Sequence, residues 1–152
     1  MSRISVCRHV DFEAAHMLEG YVGGCGSCHG HSYGLEIIIS CPESSRKEGR
    51  FGFVLDFKEL DKVIKENVPD HMFMFNENCK EGSVEYQIVQ ILKSNNLRTW
   101  GFTDVPSAEN MVEELAFNFQ RVFDLFYPDL QITVDELRLW ETKNSHAIWK
   151  RG

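Results

Sequence analysis

The sequence predicts an α+β fold built on an antiparallel sheet, and three patterns carry that reading. Residues 4–16 alternate: Ile4, Val6, Arg8, Val10, Phe12, Ala14 and His16 fall on one side and mostly polar residues on the other, the period of a strand with one buried face. From His31 the odd positions Tyr33, Leu35, Ile37 and Ile39 repeat the pattern. Residues 57–68 and 107–123 instead space their apolar residues for a helix. The resulting order is strand, strand, helix, helix, strand, strand, without the repetition of a βαβ chain.

Each element has a local reason. The glycine-rich stretch 20–30 is a loop between the first two strands. Cys41-Pro42 and the polar run to Gly49 end the second strand, and residues 51–55 resume extended structure. Asp56 reads as an N-cap, with Glu59 three residues on as in a capping box. Behind it Phe57, Leu60, Ile64 and Val68 form a helical stripe. Val84, Ile88, Ile91 and Leu92 outline a shorter helix. Pro106-Ser107 opens a long one, striped by Met111, Val112, Leu115, Phe119, Val122 and Phe123. Leu137 and Leu139 lead a strand to Glu141, and residues 146–150 return as its hairpin partner.

Composition narrows the function. At 152 residues, 43% hydrophobic and 26% charged, residues 1–152 suit one globular domain. A net charge of -7 without a basic run speaks against nucleic acid as a partner. No apolar run reaches the roughly 20 residues of a membrane helix, and the N-terminus has no signal-peptide pattern. The expectation is a cytoplasmic protein with no membrane partner. Five cysteines, an odd number, favour thiols, metal binding or catalysis over a disulfide framework.

The densest chemical signal is Cys25-Gly-Ser-Cys28-His29-Gly30-His31, with His16 upstream. His29 and His31 are two apart on an extended segment, so they leave the same face. His16 ends the apolar face of the first strand. If the two strands pair through the loop, three imidazoles converge, leaving the open fourth position of catalytic zinc. Cys25-x-x-Cys28 also fits half of a structural zinc site or a redox pair. Against the first, no second CxxC follows; against the second, no helix start or βαβ unit surrounds it. Asp70-His71 could orient an imidazole for proton transfer or form a polar turn after Pro69. Glu109, near a helix start, complements the helix dipole. Glu141, at a strand end, could hold a planar ligand through two parallel N–H donors.

Taken together, six motifs in one order resemble a known family. They are Phe12-Glu13-Ala14-Ala15-His16, Cys25-x-x-x-His29-Gly30-His31, Leu55-Asp56-Phe57, Asp70-His71, Pro106-Ser107-Ala108-Glu109-Asn110 and Glu141-Thr142. The chain resembles the 6-pyruvoyl-tetrahydropterin synthase family over nearly its whole length. The three-residue gap between Cys25 and His29 is similar to the bacterial branch that forms 6-carboxy-5,6,7,8-tetrahydropterin.

The resemblance implies a tunnelling fold: an antiparallel four-stranded sheet with two helices on one face. Oligomerisation would join the sheets into a barrel, with trimers stacked into a homohexamer and active sites completed by neighbouring subunits. It implies Zn2+ held by His16, His29 and His31, Cys25 as general base, and Asp70 and His71 working with it. Glu141 would anchor the pterin, with Glu109 in a supporting role. The implied substrate is a pterin triphosphate, 7,8-dihydroneopterin triphosphate. It would be converted to 6-carboxytetrahydropterin with loss of triphosphate and acetaldehyde, in queuosine precursor synthesis. A 6-pyruvoyl product, or a related pterin reaction, is the nearest alternative. A non-catalytic zinc-structured binding module is the alternative of another class. Two features depart from the family pattern: Cys28 stands directly before His29, and residues 76–105 exceed the compact link usual in bacterial members.

Overall fold

The computed structural model describes residues 2–47 and 49–152; Glu48, inside the polar run after the second strand, lies outside the described residues. One mixed sheet of six strands organises the chain, in the order β4-β3-β1-β2-β5-β6. The strands are β1 (Arg3–His16), β2 (His29–Pro42), β3 (Met72–Asn76), β4 (Thr99–Phe102), β5 (Thr133–Thr142) and β6 (Ser145–Lys150), and the helices α1 (Phe57–Glu66), α2 (Val84–Ser94) and α3 (Ala108–Phe126). The four expected strands form the antiparallel block β1-β2-β5-β6. The sheet is nevertheless neither four-stranded nor purely antiparallel. β3 pairs parallel to β1, and β4 parallel to β3. Met72-Phe-Met-Phe-Asn76 buries residues of both faces, so it shows no alternation by which to read a strand.

The even positions of β1 and the odd positions of β2 face one core, as their alternation requires. Val10, Phe12, Tyr33, Leu35, Ile37 and Ile39 are buried there with Leu137 and Leu139 of β5. Two helices cover this face: α1 with Leu60, Val63 and Ile64, and α3 with Met111, Val112, Leu115, Ala116, Phe119 and Phe123. The third helix lies on the other side. Met74 joins the main core, whereas Phe73 and Phe75 turn away from it into a smaller cluster with Met17 and Val89. Because successive strand residues point to opposite faces, α2 covers the reverse of the sheet beside β3. Its buried line runs through Val89, with Ile88 and Leu92 beside it; Val84 and Ile91 of the expected stripe are exposed.

Two local expectations change. Residues 51–55 form turns and bends rather than extended structure. The Asp56 carboxylate caps α1 by accepting from Lys58 N at 2.8 Å and Glu59 N at 3.4 Å. Glu59 does not close a capping box; its carboxylate accepts the Tyr127 hydroxyl at 2.6 Å. No helix among the described residues is long and apolar enough to cross a membrane.

Candidate functional site

Strand register builds the site. Pairing of β1 with β2 sets His16 opposite His29 and Ala14 opposite His31. All three imidazoles therefore gather where the two strands open into the loop 17–28. Their ring centroids lie 4.6, 5.3 and 4.9 Å apart, at steep interplanar angles. One nitrogen from each ring lies within 4.8 Å of the others.

Hydrogen bonds fix which nitrogens face inward. His16 Nδ1 is 2.8 Å from the Pro106 carbonyl, and His29 Nδ1 is 2.6 Å from the Ser27 carbonyl. A carbonyl only accepts, so each Nδ1 carries the proton and donates it. When the rings are neutral each Nε2 is then a lone pair, that of His16 approached by the Tyr33 hydroxyl at a long 3.5 Å. Yet the two Nε2 atoms sit 3.1 Å apart, with no proton to share. His31 Nε2 is buried without a hydrogen bond; the Glu141 carboxylate approaches it only to 3.5 Å. Two opposed lone pairs and one orphaned nitrogen form a donor set that a cation would satisfy. The backbone partners of His16 and His29 have the orienting role that metal-ligand imidazoles use.

Burial favours the uncharged form of two of the rings, His16 and His31. Desolvation lowers the pKa of His16 and outweighs its bond to Pro106; desolvation likewise lowers that of His31 against the pull of Glu141. Beneath the rings lies Tyr33, 1% exposed and stacked on Phe12 at 5.1 Å. Burial, reinforced by Glu141, holds its phenol far above the ordinary value. Tyr33 is thus a neutral floor to the site.

The other expected residues divide into three groups. Glu141 follows Leu137 and Leu139 on the core-facing side and is the extra residue of a β-bulge, between the pairs Trp140–His146 and Thr142–Ser145. Bulges re-aim side chains beside active sites, and this one accompanies the turn of Glu141 toward His31. Glu109 and Glu141 line one cleft of about 220 Å³ with Leu18, Ser107, Ser145 and His146.

Asp70 and His71 form a bonded pair, 2.9 Å apart, and His71 shares a shallow groove with Glu13, Ser32 and His31. His71 adopts φ 56°, a left-handed conformation in which its N–H donates to Glu13 O at 2.6 Å. Asp70 Oδ1 also accepts Glu13 N at 3.0 Å. Partial desolvation raises the Asp70 pKa, but the Glu13 N–H and the His71 ring outweigh it, and the net is a lowered value. That sign predicts a pH effect. The stabilisation from Asp70 is present above its unfolded pKa of about 3.9 and is lost as pH falls through the lower folded value. Asp70→Asn should therefore flatten the acid limb of the stability curve. Urea unfolding at stepped acidic pH checks this; an unchanged limb would show that the pair does nothing for stability.

Cys25 and Cys28 stand apart. Both are exposed, Cys25 in the single turn Gly24–Gly26, and neither joins the histidine group. Sequence reasoning missed two contributors, the Tyr33 floor and the Pro106 carbonyl. Tyr33 was visible as the next same-face position after His31. A backbone acceptor 90 residues from His16 leaves no sequence signal.

The chain is similar to known proteins over nearly its whole length. The family model described as 6-pyruvoyl tetrahydropterin synthase matches residues 5–151. A Haemophilus influenzae protein named 6-carboxy-5,6,7,8-tetrahydropterin synthase is 30% identical over 148 residues, covering 95% of this chain and 97% of its own. A Dictyostelium discoideum 6-pyruvoyl tetrahydrobiopterin synthase is 25% identical over 128 residues, covering 84% of this chain and 74% of its own. The solved structure of Caenorhabditis elegans 6-pyruvoyl tetrahydropterin synthase superposes with a TM-score of 0.64 at 18% identity, covering 100% of this chain and 98% of its own.

Proposed function

Since this chain belongs to the 6-pyruvoyl tetrahydropterin synthase family, we propose that it is a zinc-dependent lyase forming 6-carboxy-5,6,7,8-tetrahydropterin from 7,8-dihydroneopterin triphosphate and water, with release of triphosphate and acetaldehyde. The observation that carries this reading is the three-histidine cluster with inward lone pairs and the orphaned His31 Nε2, beside a carboxylate in a cleft. His16, His29 and His31 would hold the zinc, which would act as a Lewis acid on the substrate.

The chain's own residues supply the rest. Glu141 accepts two parallel N–H bonds from the pterin edge and fixes its orientation, with Glu109 lining the same cleft. Tyr33 excludes water from beneath the reacting side chain. The Cys25 thiolate removes a proton, and Asp70 holds the His71 imidazole ready to carry protons with it. The exposure of Cys25 and of Asp70-His71 supports a site completed between subunits, in a homohexamer whose joined sheets form a barrel. In this reading the chain acts as one cytoplasmic domain, and its product enters queuosine precursor synthesis. Incubation of the purified protein with 7,8-dihydroneopterin triphosphate tests the function. A 6-carboxytetrahydropterin mass with equimolar acetaldehyde is expected; a 6-pyruvoyl product without acetaldehyde would move the chain to the other reaction of the family.

Glu141→Gln replaces one acceptor with a donor that faces a pterin N–H. The mismatch should cost about 1–3 kcal/mol of substrate binding, with zinc content unchanged. Calorimetric pterin titration beside elemental analysis checks both. Unchanged affinity would remove Glu141 from the pterin site, and lost zinc would make it a support for His31.

A further inference from the structure

The excursion over residues 76–105 plays no part in the chemistry above, yet it is fastened to the chain that leaves the first histidine. Met17, directly after His16, is 5% exposed and packs with Phe73, Phe75 and Val89, so α2 covers the root of the loop 17–28. Two residues further, the Glu19 carboxylate accepts Val84 N at 2.9 Å and Glu85 N at 3.2 Å. Ser83 Oγ accepts Tyr86 N at 3.3 Å. The first three N–H groups of α2, which a helix cannot satisfy itself, are thus all engaged, two of them by a side chain from the remote loop. A carboxylate at a helix N-terminus is also favoured by the helix dipole. The helix start is itself held in place: Glu85, 4% exposed, accepts Asn76 N at the end of β3 at 2.8 Å.

Between Met17 and Glu19 runs the link to the thiol. Leu18 N–H donates to the Cys25 carbonyl at 2.8 Å, and Tyr21 N–H donates to the Leu18 carbonyl at 3.0 Å. The loop closes tightly there, since a Cβ on Gly26 would lie 2.3 Å from the Tyr21 oxygen. The loop is therefore strapped across its own neck at Leu18–Cys25, and the next residue along is clamped by α2.

We infer that Glu19 is a positioning residue: by clasping the N-terminus of α2 it holds the Leu18–Cys25 strap, so the 76–105 excursion sets the placement of Cys25 from outside the site. This rests on the reading of Cys25 as general base. A cap that served only α2 would change the stability of that helix and leave turnover per folded molecule alone. Small misplacement of a catalytic group costs about ten- to a hundred-fold in rate, which separates the two roles.

The experiment measures hydrogen exchange, kcat, KM and zinc content on the zinc-loaded enzyme. Glu19→Ala should speed exchange in the peptide covering residues 17–28 and lower kcat about ten- to a hundred-fold, with KM and zinc unchanged. Glu19→Gln keeps one acceptor oxygen but turns its amide NH2 toward the second N–H, so it should restore only part of both. If alanine melts α2, the glutamine variant decides: loop protection and kcat that move together uphold the inference, and wild-type kcat over a loosened loop overturns it. Unaltered loop protection in Glu19→Ala overturns it as well. A fully active Cys25→Ala protein would instead overturn the base assignment, an outcome distinct from an unmoved loop.

Discussion

Replacing His29 with alanine is expected to strip the metal from the site and reduce turnover to background. His29 offers one of the three facing nitrogens of the cluster found among the described residues, and its Nε2 faces that of His16 at 3.1 Å. Loss of a residue that merely orients a ligand costs about 10- to 100-fold in metal affinity, so loss of a ligand itself should cost more. The fold should survive, because His29 begins β2 outside the apolar core and, among the described residues, its ring hydrogen-bonds to the local Ser27 carbonyl alone. Elemental analysis, far-UV circular dichroism and a turnover assay on the same preparation give the answer. A folded variant with full metal content and activity would show that the three histidines are not the ligand set.

Cys25→Ala carries the second large effect. A positioned general base contributes about 10²–10⁴-fold, so turnover should fall on that scale with metal content intact. Cys28→Ala should lose much less. The two thiols differ in their setting: Cys25 sits on the turn strapped to Leu18, whereas Cys28 leads directly into the first residue of β2. Parallel kcat and zinc measurements on both variants separate them. Equal losses, or the larger loss at Cys28, would reassign the base, and loss of zinc in either would make that cysteine a ligand.

The histidine cluster was legible because strand periodicity is a strong signal and the three histidines obey it. His16 continues the face of Phe12 and Ala14, and His31 the face of Tyr33, so pairing of the two strands brings them together. Much of the core was legible for the same reason, from Val10 to Ile39 and along α3. β3 was not, since a strand buried on both faces reads as a plain apolar run, and β4 is four residues containing a glycine. The helix expected from Val84, Ile88, Ile91 and Leu92 forms, but only Ile88 and Leu92 of that stripe pack against the sheet. The helix meets its small cluster through Val89, flanked by Ile88 and Leu92, and leaves Ile91 in solvent. The bulge at Glu141 and the carbonyl of Pro106 depend on tertiary register, which no local pattern encodes. The capping box at Asp56 met a tertiary competitor, because Tyr127 takes the Glu59 carboxylate.

X-ray absorption at the zinc edge of the purified protein tests the open metal site most directly. Three histidine nitrogens at about 2.0–2.1 Å, a light-atom fourth ligand and no sulfur shell are expected. A sulfur shell at about 2.3 Å, supplied by Cys25 or Cys28, would describe a site closed by thiolate and contradict the catalytic reading.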